Sequence, residues 1–301
     1  MAADDARRTV TVRAHAKINL SLRILGVRSD GYHDLRTILQ TVALYDSLTF
    51  SSTRAAASIA CDDPRCPVDD TNLVWQAADR LWREVGDGGP MPGVSIRIRK
   101  RIPMQAGLGG GSSDAAAALR ALALLWRLDV ADGALASLAR DLGTDVPFFF
   151  QGGTSLGLDR GDVLFPLVDR SPAWVVLVVP SFGVATRDAY VWWDGSGADR
   201  SLAAAGADRG NDLEAPVVAR HPEIGRLRAR LGRLGATEAG MSGSGSAVFG
   251  LFADRQAAVG AARALSRGSV RALVTRTLGR RPYTRRSRPS VSRIRLPRSR
   301  Q

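Results

Sequence analysis

The chain has 301 residues, 45% of them hydrophobic and 24% charged, enough to bury one large core or two modest ones, and two domains are expected. A mean hydropathy of -0.07 and apolar runs no longer than such stretches as WVVLVVP at 174–180 exclude ordinary membrane-spanning helices. No apolar segment follows the charges of MAADDARRTVTV, so a cytoplasmic rather than an exported protein is expected.

The formal net charge of +13 is unevenly placed, because ten arginines and no acid lie after residue 275. The body of the chain is nearly balanced, and its basic excess belongs to a tail rich in Ser, Pro and Arg. That composition predicts disorder over residues 279–301. Such a tail could touch RNA or acidic lipid without specificity, but a solvated extension is the plainer reading, so no specific nucleic acid and no membrane is expected as a partner. Cys61 and Cys66 sit in the polar stretch CDDPRCPVDD. With only His15, His33 and His221 to add to them, no metal set is spelled out and reduced thiols are expected.

In chain order, TVTVRAHAKINLSLRIL (9–25) alternates like half-buried strand and ends at the turn-rich GVRSDGYHDL. LRTILQTVALYDSLTFSS reads as a strand or short helix leading into another strand. TNLVWQAADRLWREVG carries Leu73, Val74, Ala77, Leu81 and Val85 at helical spacing, with Thr71 as the expected N-cap. GVSIRIRKRIP is a strand running into PMQAGLGGGSSDAAAAL, and a helix is expected from Ser112 to Trp126. DGALASLARDLG is helical, followed by TDVPFFFQGGTSLGLDRGD and the strand AWVVLVV. HPEIGRLRARLGRLG is helical, GATEAGMSGSGSAVFGLF is strand, glycine turn, strand, and DRQAAVGAARALSR is helical. The expected fold class is α+β, with a first domain over 1–160, a second over 161–278 and the tail over 279–301.

The run Gly107-Leu108-Gly109-Gly110-Gly111, followed by Ser112-Ser113 at a helix start, leaves several backbone N–H groups uncrowded and aimed at one point. The helix end adds about half a positive charge, so the point is an anion site suited to a polyphosphate. Ser112 and Ser113 can cap the helix and reach phosphate or a metal. Two other phosphate loops are excluded by spelling: no Gly-Lys-Ser/Thr triplet occurs, and no acid follows at the distance a dinucleotide fold requires. Of 42 basic residues only Lys17 and Lys100 are lysines, which marks Lys17 as a place where a compact ammonium is expected in place of a flat guanidinium.

The spelling P-x-x-x-G-L-G-G-G-S-S-D-A-A resembles the second motif of the GHMP kinases, and AGMSGSGSAVFGLF (239–252) is similar to their third. AHAKINLSLRILGVRSDGYHDLRTILQTVALYD resembles the opening of the branch whose acceptor is 4-diphosphocytidyl-methylerythritol, and TDVPFFFQGG, VATRDAYVWWD and GNDLEAPV are similar to further blocks of it. The likeness spans about residues 10–280. It implies a ribosomal-protein-S5-like N-terminal domain, a ferredoxin-like α/β sandwich after it, and phosphoryl transfer from ATP with Mg²⁺ to that small molecule, in a monomer or homodimer.

By that resemblance Asp145 is the catalytic base and Lys17 its partner. Pro103, Gly107, Leu108, Gly109, Gly110, Gly111, Ser112, Ser113 and Asn72 fall on the ATP side. Asn19, Tyr32, His33, Thr186, Tyr190, Ser242, Gly243, Ser244 and Gly245 fall on the acceptor side. No metal ligand is assigned, Ser112 and Asp114 being the candidates. The residues alone leave plainer readings open: Asp145 as a turn cap, Lys17 as a solvated strand lysine, His33 as a surface histidine, Asn72 as an ordinary helix-start residue. A homoserine- or mevalonate-type kinase, or a nucleic-acid binder acting through the arginine tail, are the alternatives. The kinase reading predicts that removing residues 276–301 leaves catalysis nearly intact.

Overall fold

The computed structural model of the chain describes residues 6–197 and 210–295. Its frame is a pair of long antiparallel strands, β1 (Ala6–Val27) and β2 (His33–Ser52), joined by the loop that carries Gly31 and Tyr32. The stretch expected to hold a strand or helix and then a second strand is the single strand β2. Ahead of His15 the buried apolar side chains of β1 are Val10, Val12 and Ala14, as alternation requires. Register shifts between His15 and Lys17, Asn19 and Ser21, and Ile24 and Gly26 then interrupt the ladder, and each re-aims the side chains that follow. In consequence β1 serves three hydrophobic clusters: Val10, Val12 and Ala14 one, Ala16 and Ile18 a second, Leu22 and Ile24 a third.

β3 (Ser58–Cys61), α1 (Leu73–Val85), β4 (Val94–Arg99), α2 (Gly110–Trp126), α3 (Asp132–Leu142), the one-turn α4 (Phe148–Gln151) and the hairpin β5 (Thr154–Asp159) to β6 (Val163–Pro166) follow. Helix α1 buries Val74, Ala77, Ala78 and Leu81 on one face, and Leu81 alone contributes about 2 kcal/mol by leaving water. Its N-cap is Asn72 rather than Thr71: Asn72 Oδ1 accepts from the Val74 N–H at 2.9 Å, while the Thr71 hydroxyl is bound to Asp69. Helix α2 is buried over most of its surface because it lies between the sheet and helices α1 and α3, which is why it is written largely in alanine. It begins at Gly110, two residues before the expected start, since Gly109 at φ 67° turns the chain into the helix without a side-chain cap.

The second half runs β7 (Trp174–Val179), α5 (Thr186–Asp194), β8 (Gly210–Asn211), α6 (Glu214–Arg220), α7 (Pro222–Arg233), β9 (Glu238–Met241), β10 (Val248–Phe252), α8 (Arg255–Leu265) and β11 (Arg271–Arg276), then α9 (Arg280–Ser287) and β12 (Ser290–Arg295). Strands β11-β7-β10-β9 form an antiparallel four-stranded sheet, the order of a ferredoxin-like βαββαβ unit. One face of this sheet packs on α7 and α8. The other, through Val175, Leu177, Phe249 and Leu251, packs on Ala16, Ile18, Val42 and Leu108 of the first half. The first sheet has the order β12-β1-β2-β4-β3, with β5 and β8 also paired to β2 and β1. The α+β class holds. A seam at residue 160 would cut the β5–β6 hairpin, whose strands share one sheet, so the passage to the second sheet lies between Pro166 and Trp174.

The disorder expected over 279–301 is corrected for residues 279–295, the remainder lying outside the described residues. Tyr283 and Ser287 are buried beneath α9 while Arg281, Arg285 and Arg288 stay exposed, and β12 pairs antiparallel with β1 from Ala6–Arg295 to Thr11–Ser290. One buried ring and six paired strand positions supply the order that an arginine-rich composition concealed.

Candidate active site

Three segments remote in sequence meet at the bulged middle of β1. The Lys17 N–H donates to the Leu108 carbonyl at 3.0 Å, tying the strand to the glycine loop. Ser242 Oγ donates to the Gly107 carbonyl at 2.8 Å and accepts from the Asn19 N–H at 3.2 Å, tying the second glycine turn to both. That turn is braced by Asn211, whose amide donates to the Met241 and Gly243 carbonyls at 2.9 and 2.7 Å, and by Glu214, which accepts from the Met241 N–H. The GNDLEAPV block is thus a clamp on the glycine turn.

Lys17 and Asn19 occupy the two bulge-flanked positions and are 4% exposed. Lys17 Nζ donates to Asn19 Oδ1 at 2.7 Å and lies 3.2 Å from Asp145 Oδ2, with Asp145 itself 36% exposed to the cleft. Asn19 Nδ2 donates to Thr37 Oγ1 at 2.8 Å, which donates in turn to the Ser21 carbonyl, so the ammonium is held from both sides. The buried ammonium thus has one carboxylate oxygen and one amide oxygen as its partners. The open helix start at Gly110, Gly111 and Ser112 faces the same space, with unpaired N–H groups and the positive helix end turned toward it.

These groups line one cleft of about 1010 Å³. Its aromatic end is formed by Tyr32, His33 and Tyr190, and Thr186 lines it beside Ser244. His33 stacks on Tyr190 with ring centroids 4.7 Å apart, and His33 Nε2 hydrogen-bonds Asp194 Oδ1 at 2.9 Å. A carboxylate only accepts, so Nε2–H donates and Nδ1 is the nitrogen left for a ligand in the neutral ring. The Tyr190 phenol is pushed up, first by burial and then by the Asp145 carboxylate. Tyr32 is half exposed, with the Arg160 guanidinium 5.3 Å from its ring centre. Thr186 Oγ1 and Ser244 Oγ lie 3.2 Å apart across the two domains.

Of the residues singled out in the sequence, Lys17, Asn19, Tyr32, His33, Asn72, Pro103, Gly107, Leu108, Gly109, Gly110, Gly111, Ser112, Asp145, Thr186, Tyr190, Gly243 and Ser244 line the cleft. Ser113, Ser242 and Gly245 do not. Ser113 is buried with its hydroxyl given to the His15 carbonyl at 2.7 Å, because a helix starting at Gly110 turns that position into the core. Ser242 spends its hydroxyl on the loop clamp, and Gly245 faces the Met241 sulfur. Asn72 faces the cleft, yet its Oδ1 caps α1 and its Nδ2 donates to the Pro67 carbonyl at 2.6 Å.

Asp194 and Arg160 were not anticipated. Asp194 had a signal: it lies one helical turn after Tyr190 and two after Thr186, on the same face of α5. Beneath the glycine loop, Lys100 Nζ sits 2.6 Å from Asp46 Oδ2 and 2.8 Å from Asp114 Oδ2. Asp46 also accepts from the Arg101 and Ile102 N–H groups, and the Asp114 carboxyl is pushed up to about 7, first by burial and then by Asp46. Asp114 Oδ1 is buried without a hydrogen-bond partner. Among the described residues no group of three His, Cys, Asp or Glu is placed to hold a metal, and no helix is long and apolar enough to cross a membrane.

The architecture and the paired glycine turns define the class. The family model for the GHMP kinases N terminal domain matches residues 72–153, and that for the GHMP kinases C terminal matches 198–270. The chain is 44% identical to a 4-diphosphocytidyl-2-C-methyl-D-erythritol kinase of Moorella thermoacetica, over 89% of this chain and 99% of the relative. It is equally 44% identical to one of Anaeromyxobacter sp., over 91% and 92%. A crystal structure of 4-(cytidine 5'-diphospho)-2C-methyl-D-erythritol kinase superposes with a TM-score of 0.74 at 36% identity, covering 89% of this chain and 99% of that one. Mevalonate kinase of Methanococcus jannaschii, at 14% identity and a TM-score of 0.67 over 89% and 98% of the two chains, shares the fold. The chain belongs to the GHMP kinases and, within them, to the 4-diphosphocytidyl-2-C-methyl-D-erythritol kinase family.

Proposed function

We propose that the protein transfers the γ-phosphoryl group of ATP to the 2-hydroxyl of 4-diphosphocytidyl-2-C-methyl-D-erythritol, a step of the non-mevalonate isoprenoid route. The observation that carries this reading is one continuous cleft with a phosphate-binding helix start, the Lys17–Asp145 pair, and the Tyr32, His33 and Tyr190 cluster along it. A cytoplasmic location goes with it, ATP being the co-substrate.

Asp145 receives the proton of the acceptor hydroxyl as its oxygen bonds to the γ-phosphorus, while the bond from that phosphorus to the β-bridging oxygen breaks and ADP leaves. Lys17 holds the carboxylate in place. The N–H groups of Gly110, Gly111 and Ser112 take up charge on the phosphate oxygens without having to reorganise. A Mg²⁺ ion bound with ATP would supply positive charge against the phosphate oxygens. The Ser112 hydroxyl and the unpartnered Asp114 Oδ1 are the protein oxygens that would hold it. At the aromatic end the tyrosine rings stack on the cytosine and His33 Nδ1 meets its edge.

Homoserine and mevalonate have no base to fill that end. The test is ADP release by the purified protein with ATP and, separately, the cytidine-bearing acceptor, methylerythritol 4-phosphate, homoserine and mevalonate. Turnover is expected with the first alone; turnover with homoserine or mevalonate instead would overturn the reading.

A further inference from the structure

The segment from Leu278 to Arg295 leaves the second sheet and returns to the first as a strap. The Leu278 N–H donates to the Thr41 carbonyl at 2.8 Å, Gln40 Nε2 donates to the Leu278 carbonyl at 2.9 Å, and Arg280 Nη2 donates to the Thr154 carbonyl at 2.8 Å. The second family model ends at residue 270, and the Moorella relative is matched along 99% of its length by 89% of this chain, so about a tenth of the chain has no counterpart there. Composition alone would let this segment be dispensed with.

Its one buried ring is set directly behind the catalytic turn. Tyr283 is 2% exposed, and its hydroxyl donates to the Phe149 carbonyl. A Cβ on Gly152, which has φ +62°, would fall 2.1 Å from Tyr283 Cδ1, so the ring fills the space a side chain there would need. Phe149 closes the turn that begins at Gly143 and carries Asp145: the Val146 N–H donates to the Gly143 carbonyl and the Phe149 N–H to the Val146 carbonyl. The Phe149 ring in turn reaches the active centre. Its Cζ lies 2.9 Å, and Lys17 Cγ 3.0 Å, from the point where a Cβ on Gly109 would sit. Phe149, the glycine loop and the lysine stem therefore meet at one spot.

We propose that Tyr283 is a positioning residue for phosphoryl transfer: by fixing the Phe149 carbonyl it sets the turn that presents Asp145 and the ring that supports Lys17. The inference rests on the function proposed above. In a packed interior the turn cannot shift without moving the lysine stem, so the strap's contribution is to the geometry of the Lys17–Asp145 pair and leaves the binding of either substrate alone.

The experiment compares the full chain with Tyr283→Phe, which keeps the ring and removes the donor, and with a chain ending at Leu278. Steady-state kinetics and hydrogen exchange of the peptide covering 144–153 are read on each. Loss of one hydrogen bond predicts kcat about fivefold lower in Tyr283→Phe, with both KM values within about twofold of the parent. Exchange over 144–153 is expected to quicken in both variants. Parental kcat and parental exchange in either variant, even with a lowered melting temperature, would reduce the strap to a structural addition and overturn the proposal. If the parent itself turns over none of the acceptors, the proposed function fails, while the exchange of 144–153 still decides whether Tyr283 holds the turn.

Discussion

Ser242 and Gly107 are locked together: the serine hydroxyl donates to the glycine carbonyl at 2.8 Å, and a Cβ on Gly107 would lie 1.9 Å from the serine's own carbonyl oxygen. Gly107 also has φ +71°, a conformation that an L side chain adopts only under strain. Both glycine turns are therefore built on an approach that no other residue permits. Gly107→Ala must displace one loop from the other, and with it the helix start that faces the phosphates. We expect kcat/KM for ATP to fall by roughly a hundredfold or more, since a misplacement of about 1 Å at such a site costs that much. Steady-state titration of ATP beside a melting curve separates this loss from unfolding.

In the proposed mechanism Asp145 and Lys17 divide a proton-transfer role that their substitutions should separate. Asp145→Asn keeps the shape and a hydrogen-bonding oxygen for Lys17 but removes the base, so kcat should fall by about 10² to 10⁴ while ATP still binds. Lys17→Met removes the ammonium and leaves Asn19 Oδ1 without its donor, so it should lower kcat and also melt earlier. Calorimetric titration with ATP checks the first half of this; an Asp145→Asn protein with a kcat near the parent's would show that another group takes the proton.

Much of this site was legible because runs of glycine and serine declare backbone requirements that few other functions share, while the roles of Lys17 and Asn19 came with the family resemblance. What escaped reading depends on chain geometry. The bulges on either side of Lys17 and Asn19, which set where that pair is aimed, leave no mark in an alternating pattern. The helix start moved from Ser112 to Gly110 because a left-handed glycine can enter a helix without a capping side chain, which turned Ser113 from a ligand into a core hydroxyl. Most misleading was the C-terminal segment, where charge dominates composition and one tyrosine decides the packing.

His15, pressed between the rings of Tyr45 and Tyr283, gives that packing a pH dependence. Its imidazole is lowered to about 4, first by burial and then by the Arg286 and Arg13 guanidinium charges. The folded state therefore prefers the neutral ring and the unfolded chain, at about 6.5, takes the proton first. Stability from this group is complete above pH 6.5 and is lost as pH falls through 4, by up to about 3 kcal/mol. His15→Phe, which keeps a ring and removes the titration, should flatten that part of the acid limb in urea melts at pH 7 and pH 4.5. An unchanged slope would mean that the imidazole is charged in the native protein.

The Asp194 carboxylate, 2.9 Å from His33 Nε2, fixes which imidazole nitrogen the cleft presents, and it does so from a helix that also supplies Tyr190. The pair contacts Tyr190 at the aromatic end and makes no bond to Lys17 or Asp145, so its loss should touch the acceptor and leave the chemistry alone. Asp194→Ala frees the ring to turn and to adopt either tautomer, which removes about 1 kcal/mol or slightly more of orientation. We expect KM for the cytidine-bearing acceptor to rise about tenfold, with kcat and KM for ATP nearly unchanged. Asp194→Asn, whose side-chain oxygen still accepts from Nε2–H, should recover most of the loss. A rise in the KM for ATP of the same size would place the nucleotide, and not the cytidine, against His33.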